Sequence, residues 1–199
     1  MTAGGGWRAC GRGVGAVGVR RGERVYTYGM NAPNAPNGPN GSASDSGSAV
    51  IVYTDGACRG NPGRGGWAWA VPGGPYASGA DPATTNQRME IMAALEALRY
   101  WTTQPVSEIQ VVSDSTYVVN CFKDRWWQGW ERRNWLNTQR KPVANRDLWE
   151  PLIKLALAPE PPVTWRWVKG HSGDRWNDRV DELATEAADR GRGESDLGE

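Results

Sequence analysis

Phenylalanine and histidine are almost missing from this chain. There is one of each, Phe122 and His171, in 199 residues that hold twelve tryptophans. Cysteine is scarce as well. Cys10, Cys58 and Cys121 form no CxxC pair and are odd in number. That argues against a disulfide framework or a thiolate zinc site and fits a reducing compartment. No apolar run approaches the roughly 18 residues of a membrane span. The N-terminus carries arginines but no apolar core of a secretory signal. A cytoplasmic protein without a membrane partner is the expectation. Excess charge of one sign is also lacking, with a net charge of +1.

What the chain does have is charge sorted by place. Seven Lys or Arg residues fall between Lys123 and Arg146 (Lys123, Arg125, Arg132, Arg133, Arg140, Lys141 and Arg146) against two acids, Asp124 and Glu131. Five tryptophans lie in or beside the same stretch: Trp126, Trp127, Trp130, Trp135 and Trp149. A near-neutral total therefore hides a basic, aromatic patch.

Residues 1–48 are rich in Gly, Asn, Pro and Ser, as in NAPNAPNGPNGSASDSGS. Such a segment buries too little apolar surface to offset its ordering entropy, so a disordered, low-complexity extension is expected. Met30 opens the Asn/Pro run and offers an alternative start, which would leave residues 1–29 as a spurious extension. Its arginines could instead form a weak nucleic-acid tether. Residues 191–199 read as a flexible polar tail.

The core spans 49–190. Val50 to Thr54, Gly65 to Val71, Tyr76 to Gly79, Glu108 to Ser113 and Val163 to Val168 carry strand signals. Thr84 with Gln87 three residues on resembles a capping box that opens a helix through Trp101. Ser115 caps a helix to Phe122, short helices carry the tryptophans, and the Leu148, Leu152, Leu155 spacing predicts a helix over 146–157. Lys169 to Asp174 is a loop, and 175–190 is the last helix. This order implies an α/β fold: a mixed sheet flanked by helices.

Four acids stand at strand ends or on helices: Asp55 in VYTDGACRGNPG, Glu90 in TTNQRMEIMAAL, Asp114 in QVVSDSTYV and Asp181 in HSGDRWNDRVDEL. Carboxylates so placed suit hard divalent cations, which take oxygen ligands. Two Mg²⁺ ions about 3.5–4 Å apart can stabilise both the attacking and the leaving oxygen of a phosphodiester. His171 sits in a loop, Gly-His-Ser-Gly, where an imidazole can take or give a proton near neutral pH.

The ordered motifs TDG, TTNQRME, SDS, WVKGHSG and NDRVDELA resemble bacterial-type ribonuclease HI across residues 49–190. The resemblance implies a five-stranded mixed RNase-H-like sheet. It implies hydrolysis of the RNA strand of an RNA–DNA hybrid, leaving 5′-phosphate and 3′-hydroxyl ends. It assigns Asp55, Glu90, Asp114 and Asp181 to metal binding, with two Mg²⁺ ions or Mn²⁺ as substitute, and His171 to proton transfer or product release. It places Asn61, Asn86 and Gln87 at 2′-hydroxyls and base edges, the group that separates RNA from DNA. Asn61 could also be a turn residue before Pro62, and Asn86 a helix cap. Trp126, Trp130, Trp135, Arg132 and Arg133 would grip the DNA strand, the arginines through phosphates. The tryptophans could equally pack a small helical subdomain. Thr85 and Asn145 resemble residues that hold a DNA phosphate, with Ala83 where some relatives have a basic residue. A monomer with no obligate protein partner is expected. Three rivals are a junction resolvase or transposase-like nuclease on the same core, a non-catalytic hybrid-binding module, and a chain whose first 48 residues bind duplex. TTNQRME and the basic patch disfavour the first. The presence of all four acids disfavours the second. The third lacks a strand–helix pattern.

Overall fold

The computed structural model describes residues 47–198. The expectation of disorder over 1–48 therefore falls, for residues 1–46, outside the described residues. Eleven elements follow in order: β1 Val50–Arg59, β2 Gly63–Ala70, β3 Tyr76–Thr84, α1 Asn86–Trp101, β4 Ile109–Ser113, α2 Thr116–Lys123, α3 Trp126–Arg132, α4 Arg146–Ala156, β5 Val163–Trp167, α5 Arg175–Arg190 and β6 Ser195–Asp196.

The strands form one sheet in the order β5-β4-β1-β2-β3-β6. β1, β4 and β5 run parallel, while β2, β3 and β6 add antiparallel neighbours. The sheet is mixed, as the element order implied, but has six strands. The sixth comes from the segment expected to be a flexible tail. Ser195 and Asp196 pair with Ala77 and Tyr76, and Ser78 N donates to Glu194 O at 2.8 Å. Backbone pairing needs no apolar pattern, so a polar segment could occupy this edge. It shortens the unpaired edge that β3 would otherwise present.

Two other expectations are corrected. β1 does not stop at Thr54 but continues through Asp55 and Gly56 to Arg59, because β2 pairs with it as far as Arg59↔Arg64. The helix cap is Thr85 and not Thr84: Thr85 Oγ1 accepts from Arg88 N at 3.3 Å. Thr84 is 3% exposed and pairs with Gly63 as the last residue of β3.

Helices cover both faces. α1 lies over β1 and β2 with α4 beside it, and α5 lies over β1, β2 and β3. The α1 side holds the larger core, including Val52, Ile91, Leu95, Leu98, Val111, Trp149 and Leu152. The α5 side holds Tyr53, Ala68, Val112, Val180 and Leu183. Two glycines let the helices sit directly on the strands. A Cβ on Gly56 would strike the α1 backbone at Met89 and Glu90, and one on Gly66 would strike the α5 backbone at Ala184 and Ala188. The first of these contacts sets Glu90 beside the strand residue that follows Asp55.

Candidate active site

β1 pairs with β4 only over Val50 to Tyr53, while β4 pairs with β5 through Ser113. Asp55 and Asp114 therefore stand just past the carboxyl end of the parallel β1–β4 pair. Ligands of open α/β sheets bind at such ends. Asp55 is 8% exposed, and Gly56 N donates to its Oδ1 at 2.7 Å. Glu90, one turn into α1, is held at both oxygens. Asn86 Nδ2 donates to Oε1 at 2.9 Å and Ser115 Oγ to Oε2 at 2.7 Å. Asp114 Oδ2 accepts from Asn177 Nδ2 at 3.1 Å, and its carbonyl accepts from Trp167 Nε1 at 3.0 Å. Asp181 is half-buried on α5, one turn beyond Asn177.

Electrostatics join the four acids. Burial lifts the Asp55 carboxyl well above the usual carboxylate range, and the charges of Asp114, Asp181 and Glu90 each push it further. Burial also raises Glu90, with Asp114 adding to the effect, while bonds from Ser115 and Asn86 oppose it. Among the described residues none of the four is ion-paired with Lys or Arg, and no three His, Cys, Asp or Glu side chains close into a tight ligand set. Like charges coupled in this way repel and favour the protonated form. A divalent cation would remove that cost. The donor set is all oxygen, which fits a hard ion such as Mg²⁺.

The remaining candidates fall at several distances from this centre. His171 is exposed, at φ 51°, on the loop after β5. Its neighbour Gly170 lies directly on the Asp114 carboxylate. Asn61 is exposed in the β1–β2 turn, and its Oδ1 accepts from Asn86 N at 3.3 Å. That bond ties the turn to the start of α1 and leaves the Asn61 amide nitrogen unused. Gln87 is exposed in the first turn of α1. Asn86 acts on Glu90 and is not the helix cap, which is Thr85.

The second group gathers Thr85 with residues between Trp126 and Asn145. Arg88 donates to Asn145 Oδ1 at 3.3 Å and forms a two-bond pair with Asp147 at 2.9 and 2.6 Å. This clamp sets Asn145, at φ 59°, against the start of α1, where Thr85 sits. Arg132 and Arg133 are exposed, each spending Nε on a backbone carbonyl (Gln128 O and Leu136 O). Trp130 and Trp135 are 8% and 9% exposed and belong to the core. Trp130 packs on Trp135 and Trp149 at ring distances of 6.1 and 5.4 Å. They build the subdomain that carries the arginines. Trp126 is half-buried, 6.3 Å from the Tyr117 ring.

Sequence reasoning passed over Asn177, Trp167, Arg88 and Asp147. Asn177 had a signal: it lies four residues before Asp181, so the two share a helix face. Ser115 was read only as a cap. It does cap α2, accepting from Val118 N at 3.2 Å, and it also holds Glu90.

Comparison with known proteins agrees with this geometry. Residues 47–189 match the family model described as RNase H. A ribonuclease H of Erythrobacter litoralis is 48% identical over 143 residues, covering 70% of this chain and 96% of that protein. One of Syntrophomonas wolfei is 47% identical over 146 residues, 69% of this chain and 94% of that protein. Among solved structures, LC9-RNase H1, described as a type 1 RNase H with the type 2 active-site motif, superposes with a TM-score of 0.64. It is 29% identical and covers 78% of each chain.

Proposed function

This chain belongs to the RNase H family, and from that premise we propose that it hydrolyses the RNA strand of RNA–DNA hybrids by two-metal-ion catalysis. The products carry 5′-phosphate and 3′-hydroxyl ends. The observation that carries the reading is the buried Asp55 carboxylate with three further acids raising its proton affinity and, among the described residues, no cationic side chain paired with any of the four. Asp55, Glu90, Asp114 and Asp181 would hold the ions, Mg²⁺ first and Mn²⁺ as substitute. Two bound cations supply charge stabilisation for the attacking and leaving oxygens.

The chain's own groups then divide the work. Asn86 and Ser115 fix the Glu90 carboxylate, and Asn177 fixes Asp114. Asn61, through its unused amide nitrogen, and Gln87 at the mouth of the site read the 2′-hydroxyl side of the RNA strand. Asn86 joins them if it shares its bond to Glu90. Thr85 and Asn145, which both accept hydrogen bonds from Arg88, hold a phosphate of the DNA strand. Arg132 and Arg133 hold further phosphates through their free guanidinium nitrogens. Trp130 and Trp135 support that grip from within, and Trp126 borders it. His171, exposed on the loop over Asp114, moves a proton or helps release product. All four acids come from one chain, so a monomer suffices.

The test is incubation of end-labelled RNA–DNA hybrid, RNA duplex and DNA duplex with Mg²⁺ or with EDTA. Cleavage of the RNA strand of the hybrid alone, only with Mg²⁺, is expected. An intact hybrid, or equal cutting in EDTA, overturns the reading.

A further inference from the structure

Asp114, the residue after β4, is approached at one carboxylate oxygen by two elements remote from it in the chain. On one side Asn177, 2% exposed on α5, donates to Oδ2 at 3.1 Å. On the other, the backbone of the loop after β5 comes so close that a Cβ on Gly170 would lie 2.5 Å from the same Oδ2. These are independent observations on separate elements, and both act on one oxygen atom.

Packing does not account for Asn177. Its Oδ1 is buried and has no hydrogen-bond partner, so half of its capacity is idle while the desolvation cost is borne. An apolar residue of similar shape would fill the space without that cost. The amide is neutral, so it orients Asp114 without cancelling the negative charge a cation needs. A lysine or arginine there would compete with the ion. Glu90 is held in the same manner by the neutral donors Ser115 and Asn86.

Resting on the two-metal reading above, we propose that Asn177 and Gly170 are positioning residues for Asp114: the amide fixes its carboxylate for the cation, and the missing side chain at 170 leaves that orientation room. Neither touches the scissile phosphate. Their loss acts on metal affinity and not on hybrid recognition.

Gly170→Ala is the cleaner variant. The clash falls on the free end of the Asp114 side chain, which can swing aside, so the fold survives while the carboxylate moves. Asn177→Leu keeps the buried volume and removes both polar atoms. For each, unfolding is followed in EDTA and across an Mg²⁺ titration without nucleic acid, and hybrid cleavage is measured against Mg²⁺ and against hybrid concentration. Expected in both are a midpoint for Mg²⁺ stabilisation raised about 10- to 100-fold, a kcat partly rescued by excess Mg²⁺, and an unchanged KM for hybrid. An unchanged Mg²⁺ midpoint in folded Gly170→Ala, or a defect confined to KM, overturns the proposal. Should Asn177→Leu fail to fold, Gly170→Ala still decides. A wild type that neither gains stability from Mg²⁺ nor cuts hybrid sinks the two-metal reading itself. A responsive wild type with variants that match it sinks only the positioning role.

Discussion

Asp55 is the residue where stability and function pull apart. Its carboxyl is raised by burial first and then by Asp114, Asp181 and Glu90. A raised carboxyl binds its proton more tightly in the folded chain than in the unfolded one. As pH climbs from the ordinary carboxylate range towards the folded value, the folded state holds the extra proton, so stability falls across that window and stays low above it. Asp55→Asn removes the charge yet keeps an oxygen for the Gly56 N–H. In EDTA at neutral pH it should unfold at a higher temperature than wild type, by roughly 2–4 °C for each kcal/mol of repulsion relieved. The difference should shrink towards pH 4. Hybrid cleavage in Mg²⁺ should be abolished. Thermal unfolding over a pH series checks the first two statements and labelled-hybrid assays the third. A variant no more stable than wild type in EDTA would show that the acids do not strain the fold.

At the scale of elements, α3 and the turn after it form a basic projection on a tryptophan base. Trp130, Trp135 and Trp149 are buried, with Trp130 packed on the other two, while Arg132 and Arg133 stay exposed. The aromatic and basic residues therefore have separate jobs: one set packs and the other meets phosphate. Replacing both arginines with Ala should weaken hybrid binding and flatten its salt dependence. The slope of log affinity against log salt should fall by about 1.8 for two contacts on a B-like duplex. Turnover at saturating hybrid should hold, since the carboxylates lie on β1, α1, α5 and the residue just after β4. Salt titration with Ca²⁺ in place of Mg²⁺, paired with saturated turnover, makes the measurement. An unchanged slope with collapsed turnover would place these arginines in the catalytic centre.

For the molecule as a whole, the described fold closes its core from Gly47 onward. Ser107 N donates to Ser48 O at 3.3 Å, and the Gly47 backbone lies against Pro105. Removing residues 1–46 should leave both the unfolding temperature and hybrid cleavage near those of the full chain. Removing 1–48 should cost a further amount of about one hydrogen bond, roughly 0.5–1.5 kcal/mol. Comparing the two truncations by thermal unfolding and hybrid affinity tests this. A large affinity loss at moderate salt on removing 1–46 alone would show that its arginines act as a tether.

The sequence by itself determined the fold class and most helix and strand positions, and it singled out the four acids that the fold couples around Asp55. Each of these rests on local information: a period, a turn signal, or a short motif that carries its acid with it. The tertiary structure decided what depends on partners remote in the chain. Thr84 and Thr85 are both competent caps, and only the pairing of Thr84 with Gly63 assigned the helix to Thr85. Trp126 and Trp130 share a helical spacing that suits either a core or a stacking surface, and packing on Trp149 settled Trp130 as core. Ser195 and Asp196 have no strand pattern, because backbone pairing to β3 asks nothing of their side chains. Asn177 looked like one polar residue among many until α5 crossed the sheet and set it on Asp114, 63 positions away. A hydrogen bond at that separation leaves no periodic trace, since it needs only that two surfaces meet.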